Sequence, residues 1–546
     1  MAAVVLGALC LLGLFSTELA DTDFWWHLKT GQFLVQRHAL PFPDPFAYTT
    51  PPAETGVQHF NLTHEWLSQA LLYLVYAAAG FPAVILARAA LLAAFCGLAG
   101  WLAGRLSRSF AAGIATAFAA ASVAVEFAAD RPALVTFLGV AVFVTVLETR
   151  RGLWALPPLA LLWANCHGGF FLAWVVLLAY CAELPAPDRR RVWLVSAASI
   201  ALSGVNPNGF GVLRTLAVYR SSPLTANLVE WQPPSLWGPP YGFPLLLAAA
   251  AVTLALAWRK VRLPHWLLFA AFAAASLLAF RNLPLVGFLA PVLIAAYFPF
   301  RLNLPRAAVA WGIPALLSVA LAAGIAGGAF FQLRVAGWTV PAGAVDFVLS
   351  HHLSGPLFNT YEQGGYLIWK LWPDARVFID GRALSERVNS DYRQILFNTG
   401  APADQVAGPR RDLLDRYGVQ VVVMNTLDWV SGALYPLAIA LGNPTDNEWQ
   451  LVYEDAQDVV FVRRPPPGTP VLDNKFGRLL RHLNTECAAY IEHSPETPLC
   501  ARTLADYWAR NQAVGLARRM LRLYLAHART RDAKAEELLR RLEAAP

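Results

Sequence analysis

Residues 21–31 read DTDFWWHLKTG, and they open a polar, aromatic-rich stretch that runs through LPFPDPFAYT (40–49) to HEWLSQALLYLVY (64–76). Strongly apolar segments lie on both sides, at 2–19 and 81–103. A polar loop between two segments long enough to cross a hydrocarbon core sets its acid and base side chains at a membrane surface.

Composition agrees with it. The chain has 546 residues, 57% of them hydrophobic and only 14% charged, with a mean hydropathy of +0.44; a charged fraction near a quarter is usual for soluble domains. An all-soluble protein is excluded. Apolar segments recur at 2–19, 81–103, 110–127, 132–148, 153–166, 169–184, 192–205, 243–258, 264–280, 283–298 and 308–331, which predicts a polytopic α-helical membrane domain of about eleven spans. Its first outer loop covers 20–80. Soluble composition then predicts an α/β domain over 342–465 and a helical tail over 466–546.

The stretch 67–79 is short for a span, and its more polar residues Glu65, Ser68, Gln69, Tyr73 and Tyr76 follow helical spacing along one face. It is predicted to lie at the interface as an amphipathic helix. Alternating the remaining segments with the N-terminus inside puts twelve Lys or Arg in the short connections of one side and six on the other. Cytoplasmic loops carry the basic excess. The chain is therefore predicted to sit in the cell (inner) membrane with a cytoplasmic N-terminus. The first loop, the 206–242 loop and the C-terminal domain are then exoplasmic.

Asp21 and Asp23 follow the first span directly, before a short helix holding Trp25, Trp26, His27 and Lys29. One reading makes them caps of that helix. The other makes them chemical, because Asp44, His64 and Glu65 share the loop and Glu126, Asp130 and Arg131 fall at another outer span end. Acid and base groups gathered beside lipid suit a lipid-linked substrate.

An apolar segment, Asp-x-Asp at its outer end, an aromatic surface helix, a second surface helix and a GFPAVILAR run (80–88) into the second span resemble the GT-C superfamily of integral membrane glycosyltransferases. That superfamily includes protein O-mannosyltransferases, oligosaccharyltransferases and aminoarabinose transferases. The chain also resembles a group of bacterial membrane proteins sharing the DxDFWWHLxxG, PDPFxYT and EWLSQ blocks, a likeness that supplies no reaction. The GT-C resemblance implies transfer of a sugar from a polyprenyl-phosphate donor to an exoplasmic acceptor, usually with inversion. It maps the family's catalytic acid onto Asp21 or Asp23. Asp23 is preferred as general base, since Asp21 lies nearer the lipid; many relatives carry adjacent Asp-Glu here, and this chain has Asp-Thr-Asp.

A lipid phosphate leaving group calls for a cation, and Arg88, Arg131 and Arg281 are the candidates. Arg88 lies within a span, where an arginine is expensive unless paired. Lys29, Asp44, His64 and Glu65 complete the candidate substrate-binding set. Some members of the superfamily hold a divalent cation on acidic residues; here Asp21, Asp44 and Glu65 could supply oxygens, and no metal is predicted.

Further signals are weaker. Asn165 and His167 stand at an outer span end, with His167 as a proton carrier or a structural residue. Residues 206–209 (NPNG) read as a turn opening the long loop that carries Glu230, Trp231 and Trp237, a candidate lid. Asp380, Gly381 and Arg382 leave a predicted strand, as either a turn or an acceptor contact. Cys10, Cys96, Cys166 and Cys181 read as packing residues, whereas Cys487 and Cys500 would pair in an oxidising compartment. The basic tail fits anionic headgroups or a solvated face, and the net charge of +7 comes mainly from cytoplasmic arginines, so no nucleic acid is expected. The rival to an enzyme is a membrane scaffold or accessory subunit binding an envelope polymer or partner. A transporter is disfavoured because the charges cluster at span ends.

Overall fold

The computed structural model describes residues 1–51, 56–183, 189–219, 228–299, 305, 308–382, 384–397, 411–429, 431–495 and 497–544. Arg220, Arg301 and Arg306 of the basic count, and 404–410 of a helix predicted at 404–417, lie outside them. The chain forms two compact units: Met1–Pro43 with Glu54–Ala336, and Asp44–Ala53 with Gly337–Pro546.

In the first unit every predicted apolar segment contains a helix. In chain order the described α-helices are α1 Ala2–Phe15, α2 Phe24–Arg37, α3 Gly56–Thr63, α4 Trp66–Ser107, α5 Phe110–Ala124, α6 Ala133–Thr149 and α7 Leu156–Cys166. They continue with α8 Phe171–Cys181, α9 Arg189–Ser203, α10 Val212–Tyr219, α11 Gly242–Leu256, α12 Leu263–Leu278, α13 Leu283–Tyr297 and α14 Ile313–Ala326. Among the described residues, Gly56–Ser107, Phe110–Phe127, Phe280–Tyr297 and Val309–Ala326 are long and apolar enough to cross a membrane, and six further apolar helices are shorter. The buried core between them is built from Leu, Val, Phe and small residues such as Ala99, Ala120 and Ala290.

The positions of α2 and α4 build the site. Helical geometry in α4 breaks at Ala79 (φ −149°) and Gly80 (φ 69°), just before Pro82. Glycine tolerates the left-handed φ and proline withholds an N–H, so the parts of α4 before and after the break are separate rods. The first rod packs on α2 at Gly31, where an added Cβ would stand 2.0 Å from the Gln69 carbonyl oxygen. Phe81, after the break, packs edge-on against Phe24 and Trp25. This fixes α2 beside the start of the second rod.

The first apolar segment is less helical than predicted. Helix α1 ends at Phe15, and 16–19 run extended because Leu19 exchanges backbone hydrogen bonds with Arg334 and Ala336, at 3.0 and 2.9 Å. The 206–209 turn forms as read: the Asn206 amide donates to the Ser203 and Gly209 carbonyls, and its oxygen accepts the Asn208 N–H. At the far ends of α6, α8 and α12, Glu148 and Glu183 pair with Arg150, Arg262 and His265.

The second unit carries a four-stranded sheet in the order β1-β2-β4-β3. Strand β1 (Leu357–Asn359) is parallel to β2 (Val421–Met424); β4 (Val459–Val462) is antiparallel to both β2 and β3 (Gln450–Glu454). Strands β3 and β4 form a hairpin. The strand expected at 376–380 is not a ladder strand: Val377 makes a single bridge to Ala47, and the Asn359 side chain instead bonds the Phe378 N–H and Ile379 carbonyl. Helices α15 Ala342–Ser350, α16 Gly364–Leu371, α17 Glu386–Phe397, α18 Arg411–Arg416 and α19 Pro436–Gly442 surround the sheet. The tail forms α20 Lys475–His493, α21 Leu499–Arg510, α22 Val514–His527 and α23 Ala533–Ala544 around their own apolar core. A disulfide joins Cys487 to Cys500.

Candidate functional site

Neither aspartate caps α2 with its side chain. Asp21 Oδ1 accepts the Asp23 backbone N–H at 3.1 Å, and Asp23 Oδ1 accepts the Trp26 indole N–H at 3.1 Å. The other oxygens turn toward Arg131, just ahead of α6. Its guanidinium binds Asp21 in a bidentate fork, Nε to Oδ2 at 2.5 Å and Nη2 to Oδ1 at 2.7 Å, and reaches Asp23 Oδ2 from Nη1 at 3.0 Å. Fork geometry of this kind fixes orientation as well as charge.

The two carboxylates are electrically unequal. Removal from water would raise Asp21, but the bidentate guanidinium outweighs it and holds this carboxyl below its ordinary range. For Asp23 removal from water wins, helped by the charges of Asp21 and Glu230, and its pKa is pushed up to about 6. One acid is fixed as an anion and the other is poised to exchange a proton. That division is the pattern of an acid–base site.

Arg131 is shared with a third carboxylate. Glu230 Oε2 lies 3.7 Å from Arg131 Nη1, and Glu230 Oε1 lies 3.2 Å from Arg281 Nη1. Arg281 stacks over Trp231 at 4.6 Å, and its turn is tied to the Glu230 turn by the Phe280 N–H donating to the Gln232 carbonyl. Two of the three predicted phosphate-binding arginines thus meet at one carboxylate.

Glu65 is ringed by imidazoles: His64 Nε2 at 3.2 Å, His27 Nδ1 at 3.5 Å and His167 Nε2 at 3.5 Å. His167 Nδ1 accepts the Gly169 N–H, so its neutral form carries the proton on the nitrogen facing Glu65. His64 donates Nδ1–H to the Phe60 carbonyl and stacks on that ring. Burial lowers His27 to about 4 and His167 to about 3. The neighbouring Asn165 accepts the Trp66 indole N–H and donates to the Leu161 and Val205 carbonyls, a structural role.

The remaining predicted residues have other tasks. Arg88 is buried and turns inward: it pairs with Asp130 at 2.6 Å and donates to the carbonyls of Phe15 and Thr17, which α1 leaves free where it ends. Lys29 is buried and donates to Gln32. Asp44 folds with the second unit, where Arg382 bridges it at 2.8 Å to Asp380 at 2.6 Å. Of the oxygens considered for a divalent cation, those of Asp21 pair with Arg131, those of Asp44 with Arg382 and those of Glu65 with imidazoles, and no group of three or more His, Cys, Asp or Glu among the described residues is arranged to hold a metal.

Sequence reading alone did not connect Glu230, His27 or Asp130 to these partners. His27 had a usable signal, since it lies four residues after Asp23 and therefore on the same helix face. Glu230 had none, being brought to Arg131 by the path of the loop.

No family model matches the chain, and no curated protein matches it. Among solved structures it is similar to the archaeal oligosaccharyltransferase AglB from Archaeoglobus fulgidus, in complex with an inhibitory peptide and a dolichol-phosphate. The TM-score is 0.52 over 86% of this chain and 75% of that one, at 11% identity. The chain resembles that structure in fold. At that identity the likeness carries architecture alone, and function rests on this chain's own side chains.

Proposed function

We propose that this GT-C-fold protein is a membrane glycosyltransferase that moves a sugar from a polyprenyl-phosphate donor to an exoplasmic acceptor, with Asp23 as general base. Asp23 takes the proton of the acceptor hydroxyl as its oxygen bonds to the anomeric carbon. The bond from that carbon to the phosphate oxygen breaks, and its electron pair leaves with the lipid phosphate. Arg131 and Arg281 hold the phosphate and stabilise its growing charge. Asp21 fixes Arg131 and remains an anion.

The observation carrying this reading is the pairing of a carboxyl at about 6 with a guanidinium that is 35% exposed and so open to a substrate anion. The dolichol-phosphate of the archaeal neighbour is a lipid phosphate, which supports the donor class. Exposed Trp101, Trp154, Trp193 and Trp258 each stand near the arginines of the basic connections. The basic excess of those connections supports a cytoplasmic assignment for that face and an exoplasmic one for Asp23.

The test is sugar transfer by purified protein in nanodiscs, with a panel of polyprenyl-phosphate sugars, comparing wild type, Asp21→Asn and Asp23→Asn. Loss of turnover in Asp23→Asn with the fold and donor binding retained is the expected result. Absence of both turnover and donor binding in the wild type overturns the enzyme reading in favour of an accessory subunit.

A further inference from the structure

We infer that Glu230 is an exchangeable stand-in for the donor phosphate: its carboxylate bridges Arg131 and Arg281 in the ligand-free protein, and a lipid phosphate monoanion takes its place. This rests on the glycosyltransferase reading and adds a regulatory residue to it. Glu230 uses one oxygen for each guanidinium, as a phosphate would use two of its oxygens.

The bridge is the weak part of the cluster. Its distances, 3.7 and 3.2 Å, exceed the 2.5 Å of Arg131 to Asp21. Its members are 41%, 35% and 31% exposed, whereas the Arg88–Asp130 pair is at 2% and 0%. Exposed pairs of this kind contribute little and are readily exchanged. Both arginines have a second anchor that stays when Glu230 leaves: Asp21 holds Arg131, and the Trp231 ring holds Arg281. Rotation of one side chain therefore opens the place, with no backbone shift required.

Charge balance favours exchange over addition. Ionised Asp21, Asp23 and Glu230 face two arginines, Arg131 and Arg281, so three negative charges meet two positive ones. A phosphate monoanion added to that set doubles the excess negative charge. One that replaces Glu230 leaves it unchanged. Glu230 thereby blocks stray carboxylates weakly and yields to an anion that can grip both guanidiniums.

The experiment measures binding of polyprenyl monophosphate in nanodiscs, with inorganic phosphate in a parallel arm, for wild type, Glu230→Gln and Glu230→Gln with Arg281→Met. Expected is about three- to tenfold tighter lipid-phosphate binding by Glu230→Gln, lost again in the double variant. Unchanged or weaker binding by Glu230→Gln, while the wild type binds, overturns the inference and leaves the glycosyltransferase reading standing. A gain for inorganic phosphate alone overturns the lipid assignment of the place, and no binding by any chain overturns both readings.

Discussion

Asp21→Asn is predicted to move the acid limb of the transfer reaction to lower pH without abolishing it. With Asp23 as base and a pKa of about 6, the wild-type rate at saturating donor falls as pH drops through that value. At one pH unit below it, roughly a tenth of the plateau remains. The two carboxylates bind different nitrogens of one guanidinium, and acids sharing a guanidinium in this way stand on the order of 6 Å apart. At an effective dielectric near 20 their repulsion is about 3 kcal/mol, or about two pKa units. Removing the Asp21 charge also frees Arg131 to commit to Asp23. Both effects lower the Asp23 pKa, so the limb shifts down by about one to two pH units, and the variant outperforms the wild type relative to its own plateau at acid pH. The assay is the pH profile of kcat for wild type, Asp21→Asn and Asp23→Asn in nanodiscs. An acid limb that stays fixed in Asp21→Asn, or that survives in Asp23→Asn, would refute the assignment of the base.

Three further outcomes follow from the geometry. Arg88→Ala leaves the Asp130 carboxylate buried and unpaired, which costs about 3–5 kcal/mol; a large loss of thermal stability is expected, and a normally stable variant with weakened donor binding alone would return Arg88 to the substrate site. Gly31→Ala forces a Cβ against the Gln69 carbonyl, so α2 is displaced from the surface helix; transfer should be lost with the rest of the membrane unit intact, as read by hydrogen exchange confined to 24–37. In the second unit His482 is held between the Asp455 carbonyl and the Glu486 carboxylate, and although burial opposes its charge these partners raise its pKa. A raised folded pKa stabilises below the unfolded value of about 6.5 and is lost as pH rises through the folded one. Thermal melts should therefore show the unit weakening toward alkaline pH, and His482→Gln should flatten that slope.

The helical architecture was legible because its cues are local. Apolar runs, the break at Gly80–Pro82 and the Asx-rich turn at 206–209 each depend on residues close in sequence, where hydropathy and backbone sterics decide. The Asp21–Arg131 pairing was half legible: both residues were singled out, but nothing in a linear pattern states which arginine meets which acid. Arg88 illustrates the difference. A cation within a span must find a partner, and the sequence says so; that the partner is Asp130, aided by the open carbonyls of Phe15 and Thr17, depends on α1 ending early.

The sequence by itself therefore determined a run of apolar helices with charged residues at their ends and a separate α/β unit, because burial and helix formation respond to neighbours a few residues apart. Tertiary structure alone decided which charges share a guanidinium. It sent Asp44 to the second unit, ringed Glu65 with three histidines and set Glu230 between Arg131 and Arg281. The physical reason is that ion pairing and desolvation act over a few ångströms in space between residues as far as 338 positions apart, a separation across which no periodicity or motif carries information.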